Sequence, residues 1–263
     1  AVTNKVTGLP DGVTFNPDTN TISGTPTKVG SYPITVTTTD ADGNEATTSF
    51  TIKVEDTTAP VVTPIADQTK EVNTAIDPIK IEATDNSGEP VTISVSGLPD
   101  GVTFNPSTKT ISRLSIINKL KALIANVNYS NVPNTIIGTP TKVGIYPITV
   151  TVTDAYGNQT TIHFTITVED TTSPTVSPIA GQTKEVNTAI DPIKIDARDN
   201  SGQAVTNKVT GLPDGVTFDP ATNTISGTPT KVGSYPITVT TTDADGNETT
   251  TSFTITVEDT TKP

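Results

Sequence analysis

The residues in this chain best suited to do chemistry are carboxylates, and they stand in linkers and turns. Two similar linkers read Glu55-Asp56-Thr57-Thr58 and Glu169-Asp170-Thr171-Thr172, and further acids occupy polar turns at Asp85, Asp154, Asp199 and Asp243. Carboxylate and carbonyl oxygens gathered at one point suit a hard cation, and calcium takes about six to eight of them at roughly 2.3–2.6 Å. Glu55, Asp56, Asp85 and Asp154 are therefore candidate calcium ligands at the first linker. Glu169, Asp170, Asp199 and Asp243 repeat the set at the second. A reading without metal also fits, because Asp and Asn in such places close Asx turns on their own backbone. No compact EF-hand loop is present to decide between the two.

Catalysis finds little support. His163 is the only histidine and cysteine is absent, so neither a His-based triad nor a His/Cys zinc centre can be assembled. Alternation of its neighbours points His163 outward. Adjacent acids such as Glu55-Asp56 could suggest glycoside hydrolysis, which needs two carboxylates flanking a sugar. Here the pairs recur in linkers with no aromatic platform beside them, and the chain reads as non-enzymatic.

The elements that must position these acids are written in the composition. Hydrophobic residues make up 32% of the 263 and aromatics 4%, while Thr, Val, Asp, Gly and Pro dominate. Thr and Val fit a pleated, half-exposed surface, and Gly, Pro, Asn and Asp punctuate turns. This excludes one large helical core and favours several thin β-sandwiches. A net charge of −12 and a pI near 4.4 repel nucleic acid and anionic membrane surfaces. No apolar run approaches the ~20 residues of a membrane-spanning helix, so neither nucleic acid nor membrane insertion is expected. Neither a signal peptide nor a wall anchor is visible, and the chain opens in mid-pattern, as an excerpt of a longer protein would.

The repeat dominates the sequence. GLPDGVTF occurs at 8–15, 97–104 and 211–218, so the copies are spaced by 89 residues (97 − 8) and then 114 (211 − 97), an excess of 25. The excess is read as one insertion, 113–137, that separates TIS from GTPTKVGIYPITV in the second copy. Three units follow: 1–57 as the C-terminal half of a repeat, 58–171 as a complete repeat with the insertion, and 172–263 as a second complete repeat. Residues 1–60 and 204–263 differ only at Asn16/Asp219, Asp18/Ala221, Ala46/Thr249, Lys53/Thr256 and Ala59/Lys262. Near-identical neighbours suit a spacer, in which length matters more than any one site.

Within the second unit Tyr146, Ile148, Val150 and Val152 share one face, as do Ile162, Phe164, Ile166 and Val168. That period of two predicts half-buried strands. Strands are expected near 61–65, 79–84, 91–96, 102–105, 109–112, 145–153 and 160–169, joined by turn residues, as in an immunoglobulin-like sandwich. Seven strands alternating in direction leave at the end opposite to the entry, so units should stack end to end. The loop 85–88 and the turn 154–158 then meet the incoming linker at the head of their unit. Glu169, Asp170, Asp199, Asn200, Asp243 and Asp245 gather likewise at the second joint.

In the insertion, Leu114, Ile117, Leu120, Leu123, Ile124 and Val127 fall on one helical stripe, with Arg113, Lys119 and Lys121 making it locally basic. The spacing predicts one short α-helix over 113–130. Its stripe is a candidate partner-binding or dimerising surface, or else it docks on its own sandwich. Residues 1–57 lack the first two strands of a unit, so their apolar face and edge should be open, inviting homotypic association or completion by a neighbour.

GLPDGVTFNPxTxTISGTPTKVGxYPITVTxTDAxGN resembles the Putative Ig and dystroglycan-type cadherin-like repeats of bacterial surface proteins, in particular staphylococcal adhesins related to the biofilm-associated protein group. The resemblance covers all but the insertion. It implies an all-β fold of tandem immunoglobulin/cadherin-like sandwiches at an extracellular, Gram-positive cell-wall location. It further implies a stalk that projects a binding region in cell adhesion or biofilm formation, with calcium between modules. The expected partners are neighbouring repeats and a host or bacterial surface ligand. The alternative is a binding module whose loops or inserted helix recognise a protein or glycan.

Overall fold

β-Branched residues alternating with polar ones, broken by Gly, Pro and Asn turns, give strands throughout. The structure is a computed structural model that describes residues 1–106 and 132–262, and no helix occurs among them. Residues 1–57 supply β1 (Thr3–Thr7), β2 (Val13–Asn16), β3 (Thr21–Gly24), β4 (Gly30–Thr39) and β5 (Glu45–Val54). The next stretch supplies β6 (Val61–Val62), β7 (Gln68–Glu71), β8 (Ile79–Lys80), β9 (Ala83–Thr84) and β10 (Thr92–Ser96). It continues with β11 (Val102–Asn105), β12 (Thr135–Gly138), β13 (Gly144–Thr153) and β14 (Gln159–Glu169). The last stretch repeats that pattern as β15 (Thr175–Val176), β16 (Gln182–Glu185), β17 (Ile193–Lys194), β18 (Ala197–Arg198) and β19 (Thr206–Thr210). It ends with β20 (Val216–Asp219), β21 (Thr224–Gly227), β22 (Gly233–Thr242) and β23 (Glu248–Glu258).

One sheet of the middle sandwich runs β10-β13-β14-β7; facing it are β11-β12-β8 and the short pair β6-β9. β7 pairs parallel with β14, Gln68 opposite Ile166 and Glu71 opposite Glu169. Parallel strands share a direction, so the chain enters this sandwich at one end and leaves at the other. Ile148, Val150 and Val152 of β13 and Phe164, Ile166 and Val168 of β14 are buried between the sheets. Each such side chain contributes roughly 1.5–3 kcal/mol of burial. His163, on the opposite face of β14, is exposed beside Thr149 Oγ1 at 3.1 Å. Gly97, with φ +87°, begins the turn after β10, and a Cβ there would lie 2.2 Å from the Pro147 oxygen.

The strand expected at 109–112 lies outside the described residues; among the described residues β11 pairs with β12, Asn105 with Thr135 and Val102 with Gly138. Asn134 precedes it at φ 55°, as Asn20 (54°) and Asn223 (53°) precede β3 and β21, and Ile136 fills the core position of Ile225. Thr-Ile occurs at both 110–111 and 135–136, and the second copy lies in the ladder to β11. Residues 135–137, read as part of the insertion, thus belong to the sheet. The first expected strand is also shorter: β6 pairs with β9, after which the chain crosses to the other sheet as β7. The helix expected over 113–130, with Leu114, Ile117, Leu120, Leu123, Ile124 and Val127, lies outside the described residues.

Residues 1–57 form a sheet β1-β4-β5 and a hairpin β2-β3, with none of the strands that cover the same surfaces elsewhere. The consequence is visible at one position: Phe50 is 45% exposed, whereas Phe164 and Phe253 are 4% and 7% exposed.

Candidate metal sites at the unit joints

The linker after β5 delivers Asp56, the loop after β9 delivers Asp85, and the turn between β13 and β14 delivers Asp154. One carboxylate oxygen of each lies within 4.8 Å of the other two. Asp170, Asp199 and Asp243, from the equivalent places one unit later, form a second triad under the same limit. The sequence brings each triad together because entry and exit lie at opposite ends of a sandwich.

Hydrogen bonding occupies one oxygen of the Asp56, Asp85 and Asp170 carboxylates and leaves the other without a partner. Asp85 Oδ2 accepts from Ser87 N (2.9 Å) and Ser87 Oγ (2.5 Å), closing an Asx turn, while Asp85 Oδ1 is buried with no partner. Asp56 Oδ1 accepts from Thr58 N at 3.1 Å and Asn86 Nδ2 at 3.4 Å, while Asp56 Oδ2 is buried with no partner. At the second joint Asp170 Oδ1 accepts from Thr172 N at 3.2 Å, and Asp170 Oδ2 is likewise buried and unpartnered on a residue only 7% exposed. The turn-closing reading therefore accounts for one oxygen of each of these residues and leaves the other unexplained. An orphaned buried carboxylate oxygen costs several kcal/mol in order of magnitude unless something positive meets it.

Asp154 and Asp243 are the most heavily bonded members. Asp243 Oδ1 accepts from the backbone of Asp245 (2.9 Å), Gly246 (2.7 Å) and Asn247 (2.8 Å), and Oδ2 from Asn247 Nδ2 (2.9 Å). Burial would push the Asp154 and Asp243 carboxyls up, but donation from Asn158 and Asn247 and from turn amides holds both below the ordinary range. The same asparagines reach the linker: Asn158 Nδ2 donates to Asp56 O at 3.1 Å and Asn247 Nδ2 to Asp170 O at 3.0 Å. Asp170 has fewer donors, and burial pushes its carboxyl up.

Glu55 and Glu169 belong to neither triad. Glu55 is ion-paired with Lys53, and Glu169 is exposed, using its backbone oxygen to accept from Val72 N at 2.8 Å. Glu71, which sequence reasoning missed, takes part at the second joint. Its carboxylate accepts from Thr171 N (3.1 Å), Thr171 Oγ1 (2.9 Å), Thr172 Oγ1 (2.8 Å) and Asn200 Nδ2 (3.3 Å). Burial opposes ionisation, yet these donors lower its pKa from 4.5 to about 2. The available signal was the identical string QTKEVNTAIDPIKI at 68–81 and 182–195, which places Glu185 in the same role. Glu185 accepts from Thr260 N and Thr260 Oγ1, both at 2.9 Å.

Three segments of the chain, residues 1–55, 59–169 and 173–258, match the Putative Ig domain family. The chain belongs to that family. These Putative Ig repeats are 47% identical over 205 residues to the Serine-rich adhesin for platelets of Staphylococcus aureus strain MRSA252, covering 78% of this chain and 13% of that protein. To the protein of the same name from strain MSSA476 they are 46% identical, covering 78% of this chain and 8% of that protein. The chain thus spans a small part of the length of these relatives. The resemblance to repeats of staphylococcal surface adhesins holds. Solved structures with similar folds include mouse cadherin-23 EC22-24, at 14% identity and TM-score 0.36, covering 98% of this chain and 86% of that one. Protocadherin gammaB7 EC3-6 gives 18% identity and TM-score 0.34, covering 98% of this chain and 66% of that one. Likenesses this low carry no argument about the joints.

Proposed function

We propose that this chain is a stretch of stalk repeats from a surface adhesin of the bacterial cell wall, and that calcium held at its joints fixes each unit against the next. The observation that carries the reading is the pair of aspartate triads at successive joints, with buried, unpartnered oxygens on Asp56, Asp85 and Asp170. The donor set is all oxygen and anionic, which suits calcium and disfavours softer metals. Asp56, Asp85 and Asp154 would hold one ion, and Asp170, Asp199 and Asp243 another. Each triad draws on a linker and on two loops of the unit that follows, so binding favours one arrangement of the joint by linkage. A bound ion supplies neutralising charge; the chain supplies the turns that aim the oxygens. The adhesin names of the relatives and the near-identity of 1–60 with 204–263 support the stalk role over a dedicated binding site. Isothermal titration of the chain with calcium is expected to give two sites, and Asp199→Asn to weaken one of them. Absence of saturable uptake at millimolar calcium would remove the metal from the account.

A further inference from the structure

The three carboxylates at the second joint come from two sources. Asp199 and Asp243 stand on loops of the third unit, and Asp170 is the linker residue next after β14. None stands on the body of the second unit, so a cation there grips the linker and the unit that follows. One side chain reaching into a metal site fixes a point, about which the second unit can still swivel. The end of β7 supplies the contacts that limit this. Glu71, opposite Glu169 in the ladder, accepts from Thr171 N (3.1 Å), Thr171 Oγ1 (2.9 Å) and Thr172 Oγ1 (2.8 Å), holding the two linker residues after Asp170. Two residues on, Asn73 Nδ2 donates to the backbone oxygen of Asn200 at 2.7 Å and so crosses to the loop that carries Asp199. Asn73 stands at φ 58°, a left-handed conformation that asparagine tolerates, and its N–H is fixed on Pro140 O at 2.8 Å. The pair recurs in the third unit. Glu185 accepts from Thr260 N and Thr260 Oγ1 (both 2.9 Å) and Thr261 Oγ1 (3.1 Å), and Asn187 stands at φ 59° with its N–H on Pro229 O at 2.9 Å.

We infer that Glu71 and Asn73 are positioning residues that make up the second unit's half of this joint. The inference rests on the calcium reading above. The cation ties the linker to the third unit through Asp170, Asp199 and Asp243, while Glu71 ties the same linker to the second unit and Asn73 reaches the Asp199 loop. Contacts at two separated points fix an orientation, where one point fixes only a position. The hydrogen bonds of Glu71 and Asn73 lie on exposed surface and compete with water, so they hold that orientation only while the ion keeps the linker and the loop together. Ion and pair act as one coupled device, and the angle between the two units is lost when either is removed.

The test combines calcium titration of the whole chain with the distance distribution between spin labels on exposed Thr161 and Thr254 in calcium. Asn73→Gly removes the amide and keeps the left-handed turn, and Glu71→Ala removes the hold on the linker. The double variant is expected to take up calcium at both joints, because every triad carboxylate remains, and to lose the narrow distribution that the unmutated chain shows in calcium. Glu185→Ala with Asn187→Gly removes the same groups from the far end of the third unit, and this second variant is expected to keep the distribution narrow. A narrow distribution in the calcium-loaded variant at Glu71 and Asn73, or equal broadening in the variant at Glu185 and Asn187, overturns the positioning role while leaving the metal sites standing. No calcium uptake by the unmutated chain overturns the sites and this role together.

Discussion

Asp170→Asn separates the cost of an acidic joint from its use. Three carboxylate oxygens lie within 4.8 Å of one another at the second joint. Two unit charges at that distance repel by about 3.5 kcal/mol at an effective dielectric of about 20, and by about 0.9 kcal/mol in bulk water. Asp170 takes part in two such pairs and is almost fully buried, so replacing it by the neutral isostere relieves repulsion and desolvation together. Its bond from Thr172 N and the backbone bond from Asn247 Nδ2 can both survive the change. Without divalent cations the variant is therefore expected to be more stable than the parent by about 1–3 kcal/mol, the lower part of that range reflecting solvent screening. With calcium the variant's advantage shrinks, because the parent gains about 2.7 kcal/mol at a hundredfold excess over Kd and the variant gains less. Denaturant unfolding of both proteins, once in chelator and once in calcium, gives the four values needed. A variant less stable than the parent in chelator, or one with an undiminished gain from calcium, would refute the reasoning.

Further outcomes follow from the same contacts. Glu71 has a depressed pKa, about 2 in the folded chain against 4.5 ordinarily, so its contribution is present above pH ~5 and is lost as pH falls toward 2. The stability difference between the parent and Glu71→Gln in chelator should shrink across that window, and a difference that grows on acidification would contradict the sign. Asp170, with its raised pKa, contributes in the opposite sense, most at low pH and progressively less as pH rises above about 4. Asp243→Ala removes the acceptor of three backbone N–H groups and one amide; water can reach the exposed turn, so the expected loss is about 2–3 kcal/mol by denaturant unfolding. Phe253→Ala should cost about 3–5 kcal/mol, the usual price of a buried ring, whereas Phe50→Ala, at a half-exposed ring in near-identical sequence, should cost under about 1 kcal/mol.

Much of this was legible before any coordinates. Alternation at Tyr146–Val152 and Ile162–Val168 marks strands whose apolar face is buried, and strand parity alone places Asp56, Asp85 and Asp154 at one end of a unit. β7 was not legible, because Gln-Thr-Lys-Glu carries no alternating apolar signal. Its place is fixed by parallel pairing with β14, a long-range contact with no local signature. Glu71 was invisible for the same reason. The strand at 135–138 was misread because Thr-Ile occurs on both sides of the extra residues, and local propensity cannot choose between two equal candidates. The ladder to β11 and the left-handed Asn134 choose. In the linkers Glu55 and Glu169 fall outside the two aspartate triads, since successive residues of an extended chain point to opposite sides.

The central claim is that a cation at each joint fixes the angle between neighbouring units. The most direct measurement is the distance distribution between two spin labels, one on exposed Thr161 of β14 and one on exposed Thr254 of β23, in calcium and in chelator. The account expects one narrow distribution in calcium that broadens on chelation and narrows again on adding calcium back. Identical distributions in the two conditions would contradict it.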